Sequence, residues 1–367
     1  MRDNLAEKLL VKVMKWNDEQ STEERQYLQA MARYKYDHYQ QFSPGMRFVE
    51  SLAQWLSQFK SIDEKLVAYN FIKKRLIFCS DSEMKHLVSM AYPDYIRPLL
   101  LREAARIISC PEHLITKIAR SQEFEILQRQ SLFLSLSDGS HIDWFRRLNK
   151  EISHEQTYTS YDISKDKAED LKKKLREGLK KITNEEPEEE MCYFRYLFLL
   201  DDFSGSGKSY LRKEGGKYDG KIDKVFNNIN NHDSPLSKIL DRENVFICTV
   251  IYLATEQAIK HLESIITEYL QDNGYKHELL VVQPLDKNIR VQGGQDDDFL
   301  QLVDKYYDSN VETDAMLVGG TENFKVGFSN CRLPIVLNHN TPNNSVVLLW
   351  SHEDLKLRGL FPRVTRH

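Results

Sequence analysis

Over the first 130 residues the apolar positions recur at helical spacing. Phe48, Val49, Leu52, Trp55, Leu56 and Phe59 fall at i, i+1, i+4, i+7, i+8 and i+11, which places them on one face of an α-helix. Ser43-Pro44 stands a few residues ahead as a start signal. Ser61 and Glu64 have the S-x-x-E spacing of a capping box, ahead of a second helix that carries Leu66, Val67, Ile72 and Leu76. Further helices are predicted at 82–91, 95–108 and 111–129, each opened by Ser, Asp or Pro. Glycine is nearly absent, so few tight turns are available. The pattern predicts an all-helical domain over residues 1–130.

From residue 131 the pattern changes to short, continuous apolar runs. These are SLFLSL (131–136), YFRYLFLL (193–200), VFICTVIYL (245–253), ELLVV (278–282), DAMLV (314–318), LPIVL (333–337) and SVVLLW (345–350). Between them lie loops and helical stretches such as ATEQAIKHLESIITEYL, with Ala258, Ile259, Leu262, Ile265 and Ile266 on one face. Runs too continuous for burial on one side predict a mostly parallel sheet covered by helices on both faces, an α/β domain over 131–367. Two polar stretches read as insertions. One, at 151–190, joins a lysine-rich helix to the acidic run EEPEEE. The other, at 213–235, is rich in Gly, Asn and Lys. A solvated surface and a nucleic-acid arm are both open for the first, and the acidic run weighs against the arm.

Composition narrows the class. A 41% hydrophobic fraction supports a packed core, and a net charge of -4 argues against a surface that coats nucleic acid. No apolar run is long enough for a membrane span, and MRDNLAEKLL lacks a signal-peptide pattern. The five cysteines are scattered without a CxxC pair, which suggests neither a disulfide framework nor a zinc site. The expectation is a cytoplasmic protein without a membrane partner.

LLDDFSGSGKSY (199–210) holds the densest chemistry. Its GSGKS end has the look of a Walker A loop, but the position of the first required glycine is Asp202, whose carboxylate would repel phosphates. The other reading keeps the acids. A buried strand delivers Asp201 and Asp202 to the carboxyl end of a sheet, where ligands of open α/β sheets bind. Gly205 and Gly207 let backbone N–H groups approach a phosphate, Ser204, Ser206 and Ser209 add hydroxyls, and Lys208-Ser209 are predicted to open a helix. The two carboxylates suit vicinal sugar hydroxyls, so the loop reads as a ribose-5-phosphate site.

Four apolar residues (Leu197–Leu200), two acids (Asp201, Asp202), three variable residues and Ser206-Gly207-Lys208-Ser209 resemble the PRPP loop of type I phosphoribosyltransferases. The resemblance implies that the acid pair holds the ribose of 5-phosphoribosyl-1-pyrophosphate (PRPP). It also implies an earlier strand–loop–helix that binds pyrophosphate, with Mg²⁺ bound through PRPP and not by direct protein ligands. Ser137-Asp138-Gly139-Ser140, with Arg146 or Arg147 behind it, is the local match for that loop; a plain structural turn is the other reading. More narrowly, FLSLSDGSHIDWFRR, FLLDDFSGSGKS, LPIVLNHNTPNNSVVLLW and LFPRVTRH resemble phosphoribosyltransferase-like effectors of bacterial antiphage and retron conflict systems, over roughly 131–367. That likeness implies a toxic effector whose partner is a reverse transcriptase–nucleic acid complex or another defence protein. It also implies a helical or winged-helix N-terminal domain, with Lys73-Lys74-Arg75 before LIF as a wing approach. A PRPP or nucleotide sensor without turnover and a salvage or biosynthetic transferase stay open beside it.

Three other stretches are candidates. His339, Asn340, Asn343 and Asn344 form a polar loop suited to an acceptor base edge, or a turn. GGTENF (319–324) reads as a phosphate-lining loop or a turn. Arg363, Arg366 and His367 offer positive groups near the end of the sequence.

Overall fold

The computed structural model describes residues 3–271, 274–312, 317–352 and 357–363. The chain forms two compact units. One joins the segment up to Glu83 to the segment from Asp286 onward; the other is the continuous stretch Met84–Leu285. This division differs from the one expected at 130/131.

The first unit begins with α1 (Asp3–Met14), α2 (Asp18–Tyr34), α3 (Phe48–Ser57), α4 (Ile62–Arg75) and strand β1 (Ile77–Cys79). The predicted helical face of Phe48, Leu52, Trp55 and Leu56 is fully buried. The predicted capping box opens α4: Ser61 Oγ accepts the Glu64 N–H, and the Glu64 carboxylate accepts the Ser61 N–H. The basic run at the end of α4 is not a wing approach. Lys73 bonds Glu24, Arg75 pairs with Asp296, and β1 is a parallel partner of a strand far along the chain.

The second unit contains α5 (Asp81–Met90, its first turn belonging to the other unit), a π-helical stretch at Ala91–Ile96, α6 (Arg97–Ile107), α7 (Ile115–Ala119) and α8 (Gln122–Arg129). It continues through β2 (Ser131–Ser135), α9 (Ile142–Leu148), β3 (Thr157–Tyr158), α10 (Lys165–Thr183), β4 (Tyr196–Ser204), β5 (Arg212–Glu214), β6 (Lys217–Asp219) and α11 (Lys221–Asn230). It closes with β7 (Phe246–Thr255), α12 (Glu256–Gln271) and β8 (Lys276–Leu285). The sheet order is β3-β2-β4-β7-β8, every pair parallel. Such a sheet must be covered on both faces. On one face lie α10, α11 and α12, whose Leu171, Leu175, Phe226 and Leu262 join Leu197, Leu199 and Ile251 in one core. On the other, Phe133 stacks on Phe198 and meets Tyr92 and Phe145. Tyr92 comes from the helical stretch before residue 130, so those helices belong to the sheet's own unit. Both expected insertions are layers of it too. α10 connects β3 to β4 through a buried leucine stripe, and the acidic run folds back as Glu186 and Glu189 pair with Arg176, Lys180 and Lys172. Residues 213–235 build the β5–β6 hairpin and α11.

From Asp286 onward come α13 (Asp297–Tyr306), β9 (Ile335–Leu337) and α14 (Val347–Trp350). LPIVL does contain a strand, but among the described residues β9 pairs with β1, Ile335 opposite Ile77, and is not part of the five-stranded sheet. SVVLLW, expected as a strand, ends in the helical turn α14. Val346–Trp350 are all fully buried, and a short apolar run buried on every side has no period to betray its conformation. In DAMLV, residues 314–316 lie outside the described residues and Leu317-Val318 are not in a strand.

Candidate functional site

In the sheet, β2 has β3 on one side and β4 on the other, so the chain's progress across the sheet reverses there. Crossover connections leave a crevice at such a switch point, at the carboxyl ends of the strands. The two stretches singled out from the sequence meet at this place. Ser137, just past β2, donates a hydrogen bond from Oγ to Oδ1 of Asp201 on β4.

β4 runs through the acid pair to Ser204, and alternation along the strand sends the two carboxylates to opposite faces. Asp201 points with Leu197 and Leu199 toward α11 and is completely buried. Its Oδ2 lies 2.5 Å from Lys221 Nζ at the first turn of α11. Burial pushes its pKa up, the Lys221 charge pulls it back, and the Asp202 charge pushes it up again. Asp202 points with Phe198 and Leu200 to the face covered by α9. It is 9% exposed, and its Oδ1 accepts the N–H of Phe203 at 2.8 Å.

After Ser204 the chain does not enter the expected helix at Lys208-Ser209. Residues 205–210 form bends and a turn, and the β5–β6 hairpin comes next. The turn leans on α12. Thr255 Oγ1 donates to the Gly205 carbonyl, and a Cβ at Gly207, which sits at φ +77°, would stand 2.8 Å from the His261 ring and 3.1 Å from the Ala258 carbonyl. Only glycine fits that approach. Ser206 Oγ accepts the Lys208 N–H, and Ser204 Oγ is buried without a partner among the described residues. The N–H groups of Ser206, Gly207 and Ser209 have no acceptor among the described residues. Three unpaired amides on one glycine turn are what an anion-binding loop presents, without a helix start.

On the β2 side, Ser137, Asp138, Ser140, His141, Trp144 and Arg147 line a cleft of about 400 Å³. Asp138–Ser140 form a single helical turn, tied by Ser140 Oγ to Ser135 Oγ at 2.6 Å; Gly139 lies within it. Arg146 is not a cleft residue. It pairs with Asp143 and contacts His154, while Arg147 lines the opening. Trp144 Nε1 is buried without a partner among the described residues.

The predicted acceptor loop belongs to the other unit, where the Asn344 side chain is engaged and Asn340 Oδ1 is buried without a partner among the described residues. The Asn343 carbonyl accepts the Phe328 N–H at 2.7 Å, and Asn344 Nδ2 donates to Cys331 Sγ and the Phe328 carbonyl. The His339 carbonyl accepts Gln41 Nε2, and the Asn340 backbone closes a tight turn with Leu337. GGTENF is knit into the same unit through Thr321 Oγ1 and the Phe324 N–H. The Arg363 guanidinium lies over Trp350, and Arg366 and His367 lie outside the described residues.

A sequence model of the PRTase-CE family matches residues 52–363. The chain belongs to the PRTase-CE family. It is thus a phosphoribosyltransferase-like protein, as the motif at 197–209 implied. No curated protein and no solved structure matches it. The PRTase-CE match begins inside α3 and runs through both units, so the family region is wider than the 131–367 expected from the motifs. Sequence reading missed two residues packed against the acid pair of this candidate site. Lys221 lies in the stretch that reads as a polar insertion, although Ile222, Val225, Phe226 and Ile229 behind it are spaced as a buried helix face. Tyr210 is fully buried, donates to the Phe203 carbonyl, and is pushed far up in pKa by burial and by both aspartates. No helix among the described residues is long and apolar enough to cross a membrane.

Proposed function

We propose that the switch-point crevice binds PRPP and that the protein transfers its phosphoribosyl group. The observation that carries this reading is the joining of an open-amide glycine turn, an acid pair and a serine-lined cleft at one topological switch point. In this reading the 5′-phosphate rests on the amides of Ser206, Gly207 and Ser209, with Lys208 beside them. Asp202 accepts the ribose hydroxyls, and pyrophosphate occupies the cleft beside Ser137, Ser140 and Arg147. The C1–O bond breaks, its electron pair leaves with pyrophosphate, and an acceptor nucleophile takes C1. Asp202 stabilises the positive charge on the ring, so catalysis is mainly positioning and electrostatics. Among the described residues no cluster of three or more His, Cys, Asp or Glu could hold a metal. Mg²⁺ enters this reading as the pyrophosphate complex, as the resemblance implies, where it would neutralise charge on the leaving group.

Calorimetry with PRPP and Mg²⁺ tests the site. The native protein is expected to bind, and Asp202→Asn to bind at least about tenfold more weakly, the worth of a hydrogen bond to a charged acceptor. No binding by the native protein, or tight ATP binding in its place, sinks the proposal. The biological setting that the resemblance implies is a toxic effector in a retron-type antiphage system, with a reverse transcriptase–nucleic acid complex as partner; Asp202→Asn is then expected to abolish toxicity.

A second reading, a PRPP sensor without turnover, is favoured by one observation. Asp201 is locked by Lys221 and unexposed, which leaves one carboxylate of the pair near the crevice. Binding of PRPP with no release of pyrophosphate in the presence of candidate acceptors decides for the sensor.

A further inference from the structure

The two loops of the crevice are joined by a buried chain of contacts. Ser137, which lines the cleft, donates to Oδ1 of Asp201. Oδ2 of the same carboxylate takes Lys221 Nζ at 2.5 Å. The backbone then leads back to the glycine turn: the Lys221 N–H donates to the Ser209 carbonyl at 3.1 Å, and the Ile222 N–H to the Tyr210 carbonyl at 2.9 Å. The ammonium group stands 4.9 Å from the centre of the Tyr210 ring, and Tyr210 donates to the Phe203 carbonyl on β4. Gly220, at φ +136°, lies so close to the Tyr210 carbonyl that any side chain there would push α11 off the turn. Each Asp201 oxygen thus holds one loop, and the carboxylate between them is sealed from solvent.

We propose that Ser137, Asp201 and Lys221 form a brace that makes the two loops bind their anions cooperatively, so that the site selects a sugar charged at both ends over a sugar monophosphate. This rests on the phosphoribosyl reading of the crevice. Asp201 is then a positioning residue, distinct in role from its neighbour Asp202. An anion on the glycine turn fixes Ser209 and Tyr210, hence Lys221 and the Asp201 carboxylate, hence Ser137 at the mouth of the cleft. The ordering cost of the second loop is met in part when the first is occupied, which is positive coupling without a large movement. An unbraced pair of loops would bind each anion independently.

The experiment measures the affinity of ribose 5-phosphate by calorimetry in Mg²⁺, without pyrophosphate and at saturating pyrophosphate. The readout is the ratio of the two affinities, which is insensitive to a uniform change in either. In the native protein, pyrophosphate is expected to tighten ribose 5-phosphate binding about tenfold, a typical coupling between sites. In Ser137→Ala and in Lys221→Met the ratio is expected to fall below about twofold, and Lys221→Arg is expected to restore much of it. Ser137→Ala removes only a hydroxyl, so the test stands even if Lys221→Met does not fold. If both ligands bind the native protein with a ratio near one, or compete, the brace is overturned and the phosphoribosyl site survives. A full ratio in Ser137→Ala overturns it equally. If neither ligand binds, the phosphoribosyl reading itself falls, and the brace with it.

Discussion

Asp201 holds its carboxylate where no solvent reaches, and this arrangement depends on Lys221. Burial and the neighbouring Asp202 raise the pKa above the ordinary 3.8, while the Lys221 ammonium limits the rise. A carboxyl whose folded pKa is raised takes up a proton more readily in the native state than in the unfolded chain. Its contribution to stability is complete below the ordinary value and is lost as pH climbs through the folded value. Lys221→Met removes the group that limits the loss. The variant is expected to be destabilised by about 3 kcal/mol at neutral pH, as when one partner of a buried pair is removed. The deficit should shrink on acidification as Asp201 becomes neutral in the folded forms of both proteins. Urea unfolding of the native and variant proteins between pH 7 and pH 4 measures it. A deficit that does not change with pH would mean that the lysine matters for packing and not for charge.

At the level of elements, the strands of the main sheet were legible because burial on both faces leaves unbroken apolar runs. β2, β4, β7 and β8 lie where SLFLSL, YFRYLFLL, VFICTVIYL and ELLVV were read. The acid pair and the glycine turn were legible for the same reason, since they come directly after such a run. The hairpin beyond the turn was not. Glu214-Gly215-Gly216-Lys217 has a hairpin's two-glycine signal, with φ of +56° and +80°, but it stands among charged residues that resemble solvated loop. The helix after it, and Lys221 with it, went unread. α10 was misjudged for a related reason. Its lysines and glutamates dominate the composition, while Ala168, Leu171, Leu175 and Leu179 alone make the buried stripe. As a layer of the sheet domain, α10 should be sensitive to cavities. Leu175→Ala is expected to cost about 3 kcal/mol in chemical denaturation. A cost under about 1 kcal/mol, as for a surface change, would return the helix to the status of an appendage.

The molecule as a whole does not divide where the texture of its sequence changes. Helical spacing up to residue 130 and strand-like runs beyond it are real, yet one unit joins two distant parts of the chain and the other joins helices before residue 130 to the strands beyond it. Phe361 is the clearest case. It is fully buried, stacks on Phe48 and Phe42 at 5.8 and 5.7 Å, and meets Tyr36, Tyr39 and Phe78 edge-on or tilted. Its carbonyl accepts from Tyr39 and Thr341. No local pattern foretells such a contact, because the partners are separated by almost the length of the chain and periodicity reports only on neighbours. LFPRVTRH was read as part of a sheet domain and as a basic tail, but Leu360 and Phe361 are core residues of the helical unit. Phe361→Ala is therefore expected to cost about 4 kcal/mol. The loss should register as faster amide exchange in α3 and in β1, nearly three hundred residues upstream. Hydrogen exchange read by mass spectrometry measures this directly. Unchanged protection of Phe48–Ser57 and Ile77–Cys79 would mean that the first eighty residues hold together without the end of the chain.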